Sequence, residues 1–212
     1  YAATEDLFND PPPDRVLVEN RLGYKAVGIP GNLMAWCTAL DELGTLDLKT
    51  VLSPAINFAE SGFPISPHFL TYLQRDFDEL TMFTETENIF LPRRKLPKIG
   101  SKLKQPDLAN TLSLISNNGP DSLYRGPIGD AVTRDMEQHN GLIVQRDFDE
   151  YRTQWKNPVK GTYRGHNIAS LGPSSSGGIM TIEALNILEG FDIAGMGYGT
   201  CAYYHLILET LK

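Results

Sequence analysis

Residues 162–192 read TYRGHNIASLGPSSSGGIMTIEALNILEGFD, and they leave little freedom in local structure. Tyr163, Ile168 and Leu171 are strand formers around an Arg164-Gly165 turn. Residues 173–178 hold too much Pro, Ser and Gly for regular structure. From Ile179 to Leu188 only Thr181, Glu183 and Asn186 interrupt an apolar run, which predicts a helix buried over most of its circumference. Glu189-Gly190 predicts its end, because glycine takes the left-handed conformation of a helix terminus without steric cost.

A serine-glycine turn that feeds a helix suggests anion binding, since backbone amides are free at a helix N-terminus. A phosphate loop, however, places lysine directly after its last glycine, and here Ile179 and Met180 come after Gly178. A nucleophile elbow needs glycine two places before and two places after its serine. Gly172 precedes Ser174 correctly, but Ser176 occupies the second position. Two readings stay open. The small residues let the backbone turn tightly and pack beneath the following helix, or they form a loop close to chemistry that they do not perform.

Elsewhere the chain punctuates into helices. Residues 1–26 are polar and broken by Pro11, Pro12 and Pro13, which predicts an extended arm or loop, with a helical region over 27–212. A helix from Pro30 carries Leu33, Trp36, Cys37, Leu40 and Leu43 at helical spacing, with Gly44 beyond its end. Asp47 can cap a short helix containing Leu48, Val51 and Leu52. Pro54 is expected to start another, with Ile56 and Ala59 inward and Ser61-Gly62 as its stop. Leu70, Leu73, Phe77 and Leu80 form a further stripe, and residues 84–104 read as a long connection. Pro106 opens a helix with Leu108, Leu112 and Ile115 on one face, ending at Asn118-Gly119-Pro120. Ile128, Ala131, Val132 and Met136 supply the next, closed by Asn140-Gly141. Asp147 and Glu150 have capping-box spacing, which predicts a helical turn over 148–151. The fold class expected is α+β, mainly helical with a minor β-hairpin.

The net charge of −7 argues against a nucleic-acid partner or an anionic membrane, which clustered Lys and Arg would bind. The one basic cluster, Arg93, Arg94, Lys95, Lys98, Lys102 and Lys104, reads as a solvated loop. No apolar run approaches the ~20 residues of a membrane span. His68, His139, His166 and His205 lack ligand spacing, so no metal is expected, and the two cysteines are far apart. Cys37 reads as a small hydrophobe on a helix face, with a free thiol expected rather than a bond to Cys201. Tyr1 is no initiator methionine and Lys212 stops inside a helical pattern over 203–211, so the chain reads as a fragment of something longer.

The turn at 173–178 together with Leu185-Asn186-Ile187-Leu188-Glu189 resembles the gamma-glutamyltranspeptidase family, whose large subunit carries a Pro-Ser-Ser-Gly-Gly turn before such a helix. Further segments agree in order. Gly28-Ile29-Pro30-Gly31 resembles the family's Val-Pro-Gly entry into a helix, and ALDELGTL (39–46) lies beyond it at family spacing. PAINFAESGFPIS (54–66), residues 105–112, NGPDSLYRGP (118–127) and the 158–165 hairpin complete the set, which spans about 27–212. Departures are Trp36 and Asn140, where the family has small residues, and Ser174, where it has proline. A tryptophan there would demand a pocket of its own.

The resemblance implies the large-subunit part of an N-terminal nucleophile hydrolase, an αββα sandwich. It implies cleavage and transfer of gamma-glutamyl amides through a threonine acyl-enzyme, without cofactor. Threonine must be a chain terminus there, because its own α-amine takes the hydroxyl proton. No internal threonine can do this. The family's oxyanion amides and carboxylate-binding arginine also match nothing here, since Arg15 and Arg21 come too late in the chain. No catalytic, substrate-binding or metal residue is therefore assigned. The implied partners are a small catalytic subunit made by autoproteolysis of the same precursor and a gamma-glutamyl substrate, in a periplasmic or secreted setting. A related amidase or acylase acting on oxamate, cephalosporin or polyglutamate substrates, for which a cytoplasmic setting is possible, is the alternative. A non-catalytic scaffold keeping the fold is another.

Overall fold

The structure is a computed structural model that describes residues 20–212. The arm expected over 1–26 therefore lies, as far as residue 19, outside the described residues. The chain separates into two compact units, the first ending at Thr153 and the second running from Gln154 to Lys212.

In the first unit, α1 (Asn32–Leu43) ends at Gly44, whose N–H donates to the Leu40 carbonyl at 2.9 Å. Helix α2 (Leu48–Ser61) is capped by Asp47, which accepts the Thr50 N–H at 2.7 Å. The expected break at Pro54 does not occur, and one helix runs through it. Proline removes a single N–H there, and Thr50, whose carbonyl loses that partner, is exposed and can turn to water. Gly62, at φ 77°, closes the helix where a side chain would be strained. Alongside α2 lies α6 (Pro106–Asn118), with Ala59, Ala109 and Ile115 buried. Of the stripe expected on α6, Ile115 is buried while Leu108 is 41% exposed.

Between them, β1 (Phe63–Pro64) pairs antiparallel with β2 (Lys102–Leu103). Ser66 caps α3 (Pro67–Arg75) through the Phe69 N–H at 3.1 Å, and α4 (Phe77–Leu80) starts after a break at Asp76. Residues 84–104 are more regular than expected, holding α5 (Thr84–Phe90), a 3-10 turn (Pro92–Arg94) and β2. Leu91 and Leu103 are buried, while the basic stretch between them is exposed.

The core of this unit is Leu123 and Tyr124 of α7 (Asp121–Tyr124), Met136 of α8 (Pro127–Gln138), Ile143, and Phe148 of α9 (Gln145–Glu150). Leu33 and Met34 of α1 pack against it. Fully buried Tyr124 donates its hydroxyl to the Pro30 carbonyl at 2.6 Å and accepts the Met34 N–H at 3.1 Å. Helix α9 begins earlier than the capping-box spacing implied. Asp147 sits in its first turn and reaches back to accept the Val144 N–H at 2.9 Å. Trp36 has no pocket of its own: the side chain is 67% exposed, so the surface absorbs its bulk.

In the second unit, β3 (Val159–Tyr163) and β4 (His166–Ser170) form a hairpin in register Val159↔Ser170 to Tyr163↔His166. Arg164 (φ 48°) and Gly165 (φ 81°) make a two-residue turn whose twist suits paired strands. Three helices come next, α10 (Gly177–Glu189), α11 (Ile193–Met196) and α12 (Cys201–Thr210), with α10 against β3 and α12.

Candidate functional site at the serine-glycine turn

The turn at 173–178 connects the hairpin to α10, and close approach of backbones fixes its shape. A Cβ on buried Gly178 would run into the Leu171 carbonyl oxygen and stand 2.8 Å from Ser170 Oγ. One on Gly161 would stand 2.6 Å from Ile182 Cγ2. Glycine at 178 lets the start of α10 approach the backbone just after β4, and glycine at 161 leaves room on β3 for the Ile182 side chain of α10. At the far end, Glu189 Oε1 accepts the Arg164 N–H at 2.6 Å, and the Arg164 guanidinium donates to the Phe191 carbonyl at 3.0 Å. The hairpin tip and the end of α10 are thus tied together.

Two expectations for α10 are corrected. Its circumference is mostly open, with Ile179 45%, Met180 59% and Ile187 43% exposed, because the hairpin and α12 cover only part of it. Gly190 is right-handed at φ −73°, and the helix ends in a tightened turn in which the Gly190 N–H reaches Ile187 O at 3.3 Å. The left-handed conformation is not used.

Beside the turn lies a groove of about 470 Å³, whose polar lining includes Lys156, Asn157, Ser170, Ser174 and Ser175. His, Asp, Glu and Cys are missing from that lining. Lys156, the one titratable side chain of the lining, is exposed. The groove can hold polar groups, and no His, Asp, Glu or Cys stands beside its hydroxyls to take a proton.

The other residues singled out by sequence do not converge on it. Buried Cys37 has its thiol pushed up by burial and then by Asp41, which disfavours the thiolate, and it and exposed Cys201 are free. Arg21 pairs with Glu79, while Arg15 lies outside the described residues. The basic cluster is exposed throughout. His68 meets the Tyr72 ring edge-on and His139 stacks on Tyr24. Among the described residues no three His, Cys, Asp or Glu side chains could hold a metal ion. No described helix is long and apolar enough to cross a membrane. Tyr124 escaped sequence reasoning, although the segment around it, NGPDSLYRGP, did not.

The family model described as Gamma-glutamyltranspeptidase matches residues 1–212. The chain belongs to this family. It is 41% identical to the Acylase ACY 1 proenzyme of Pseudomonas sp. (strain SE83), over 92% of this chain and 35% of the relative. It is 33% identical to the glutathione hydrolase proenzyme of Escherichia coli (strain K12), over 99% of this chain and 36% of the relative. The chain thus spans about a third of the length of the curated relatives it matches. The crystal structure of Helicobacter pylori gamma-glutamyltranspeptidase superimposes with a TM-score of 0.90 at 30% identity, over 99% of this chain and 60% of that one. The mainly helical α+β architecture is accordingly that of the large-subunit part of an N-terminal nucleophile hydrolase of this family.

Proposed function

We propose that the chain is the large-subunit portion of a gamma-glutamyltransferase or glutathione hydrolase. The whole protein cleaves gamma-glutamyl amides through a threonine acyl-enzyme and passes the acyl group to water or an amino acid. The observation that carries this reading is the 0.90 TM-score against a gamma-glutamyltranspeptidase over nearly the whole chain. The chemistry of the groove is compatible with it, because a framework needs no proton acceptor when the nucleophile is a terminal threonine with its own amine. In this reading the helices and hairpin hold one side of the catalytic assembly. The open apolar side of α10 receives the small subunit that autoproteolysis of the precursor releases. The periplasm or the exterior is the setting.

A second reading rests on a specific observation, the higher identity to the acylase proenzyme, 41% against 33%. In it the acyl group removed comes from another amide, such as the side chain of a cephalosporin, rather than from a gamma-glutamyl compound. The complete protein decides between them. Under the first reading it self-cleaves, and it releases the aniline from a gamma-glutamyl anilide faster than it deacylates an acyl cephalosporin. Replacing the threonine at the cleavage point by alanine abolishes both processing and turnover. A complete protein that self-cleaves but acts only on the cephalosporin establishes the second. One that neither self-cleaves nor turns over either substrate removes both and leaves a scaffold. Residues 1–212 alone are expected to be inactive.

A further inference from the structure

A cleft of about 490 Å³ in the first unit, remote in sequence from the serine-glycine turn, has a composition that neither reading of the enzyme uses. Its walls include Tyr24, Val27, Phe83, Glu85, Asp135 and Met136. The Tyr24 and Phe83 rings stand 6.4 Å apart between centroids at 75°, forming an aromatic corner. Two carboxylates from different helices share that cleft, Glu85 in the first turn of α5 and Asp135 near the end of α8. Among the described residues, no Lys or Arg lines it. We infer that this cleft binds a small organic cation, a methylated or alkyl ammonium.

A cation is attracted to an aromatic face within about 6 Å of its centroid, and two rings near a right angle can engage one cation together. Methyl groups on such a cation meet Val27 and Met136, while its charge meets Glu85 and Asp135. The corner is built rather than incidental. His139 stacks on Tyr24 with centroids 4.3 Å apart and planes 5° from parallel. Its Nδ1 lies 2.9 Å from the Asp135 carbonyl oxygen and 3.2 Å from the Asp135 carboxylate. Both neighbours are acceptors, so Nδ1 carries the proton and the imidazole orients ring and carboxylate at once. Gly23, at φ +85°, completes the corner, for a Cβ there would stand 3.3 Å from Phe83 Cζ. The field agrees in sign: burial, then the charge of Asp135 and its hydrogen bond with the Tyr24 hydroxyl, then the charge of Glu85, push the Tyr24 phenol above its usual range. That negative potential favours a cationic guest.

The test uses the complete protein with choline as the probe, measured by titration calorimetry. Choline is expected to bind saturably, and its uncharged isostere 3,3-dimethyl-1-butanol about tenfold more weakly or not at all. The double variant Glu85→Gln, Asp135→Asn is expected to weaken choline by roughly five- to tenfold, and Phe83→Leu by about three- to fivefold. Glu85 is exposed, so Glu85→Gln alone keeps the fold if the others do not, and it too should weaken choline measurably. Equal binding of choline and the isostere, unchanged affinity in Glu85→Gln and the double variant, or no saturable binding would each overturn the assignment. The outcome is independent of turnover on gamma-glutamyl or acyl substrates.

Discussion

Tyr124→Phe removes one oxygen atom, and the structure says what that atom does. Helix α1 starts after Gly31, and no side chain caps it locally. The Met34 N–H is among the donors that an α-helix leaves unpaired in its first turn. The Tyr124 hydroxyl, 90 residues away in sequence, accepts it at 3.1 Å while donating to Pro30 O at 2.6 Å. Phenylalanine preserves the ring stack on Tyr151, whose centroid lies 5.6 Å away, so packing is conserved. The loss is then two hydrogen bonds, about 0.5–1.5 kcal/mol each, or about 1–3 kcal/mol together if either backbone group is left buried and unpaired. The assay is hydrogen exchange on the complete protein, read at peptides covering 30–40, alongside urea unfolding. Protection at the Met34 amide should fall roughly thirtyfold for a loss near 2 kcal/mol. A variant with wild-type exchange at Met34 and a urea midpoint shifted by less than about 0.5 kcal/mol equivalent would show that the hydroxyl is no cap.

Three further substitutions probe other parts of the argument. Gly178→Ala pushes a methyl into the Leu171 carbonyl, so α10 must shift from the hairpin at a cost of about 1–3 kcal/mol; faster exchange over 159–170 is the readout, and an unperturbed hairpin refutes the close-packing role. Hydrogen bonds from Thr50 hold the Asp47 carboxyl below its usual value, so its stabilisation of α2 is full above about pH 3.9 and fades as pH falls through the lower folded value. Asp47→Ser keeps a cap without a charge, and the acid-side loss of protection at Thr50 should disappear with it. Ile187→Asp, at a side chain 43% exposed here, should change stability by no more than about 0.5 kcal/mol if α10 stays open, and by several kcal/mol if the small subunit covers it in the complete protein.

The elements legible in advance are those whose ends are written in local chemistry. Gly44, Asp47, Gly62, Pro106 and the Arg164-Gly165 turn each act within four residues of themselves, and each stands where the spacing put it. Pro54 failed as a boundary because its local cost is one hydrogen bond, which a long amphipathic helix lying along α6 outweighs. Helix α5 was hidden because its own span, Thr84–Phe90, holds few apolar residues, and the buried anchor next to it, Leu91, lies just past its end. The aromatic corner was equally hidden, since Tyr24, Phe83 and Asp135 meet only through the fold.

Helix α10 separates two things that a hydropathy pattern confounds. The pattern between Ile179 and Leu188 is a record of where those side chains lie in the protein that selection acted on, whereas burial in these 212 residues counts only the neighbours that these residues supply. Three of its large apolar side chains are 43–59% exposed, although apolar surface left in water forgoes roughly 25 cal/mol for each Å². The glycine contacts at 161 and 178 show that the covered side is closely packed, so the openness of the other side is not loose packing. The relatives matched are nearly three times as long as the segment they share with this chain. A helix apolar all round, tight on one face and open on the other, is what the proposed split hydrolase requires of an element at its subunit contact.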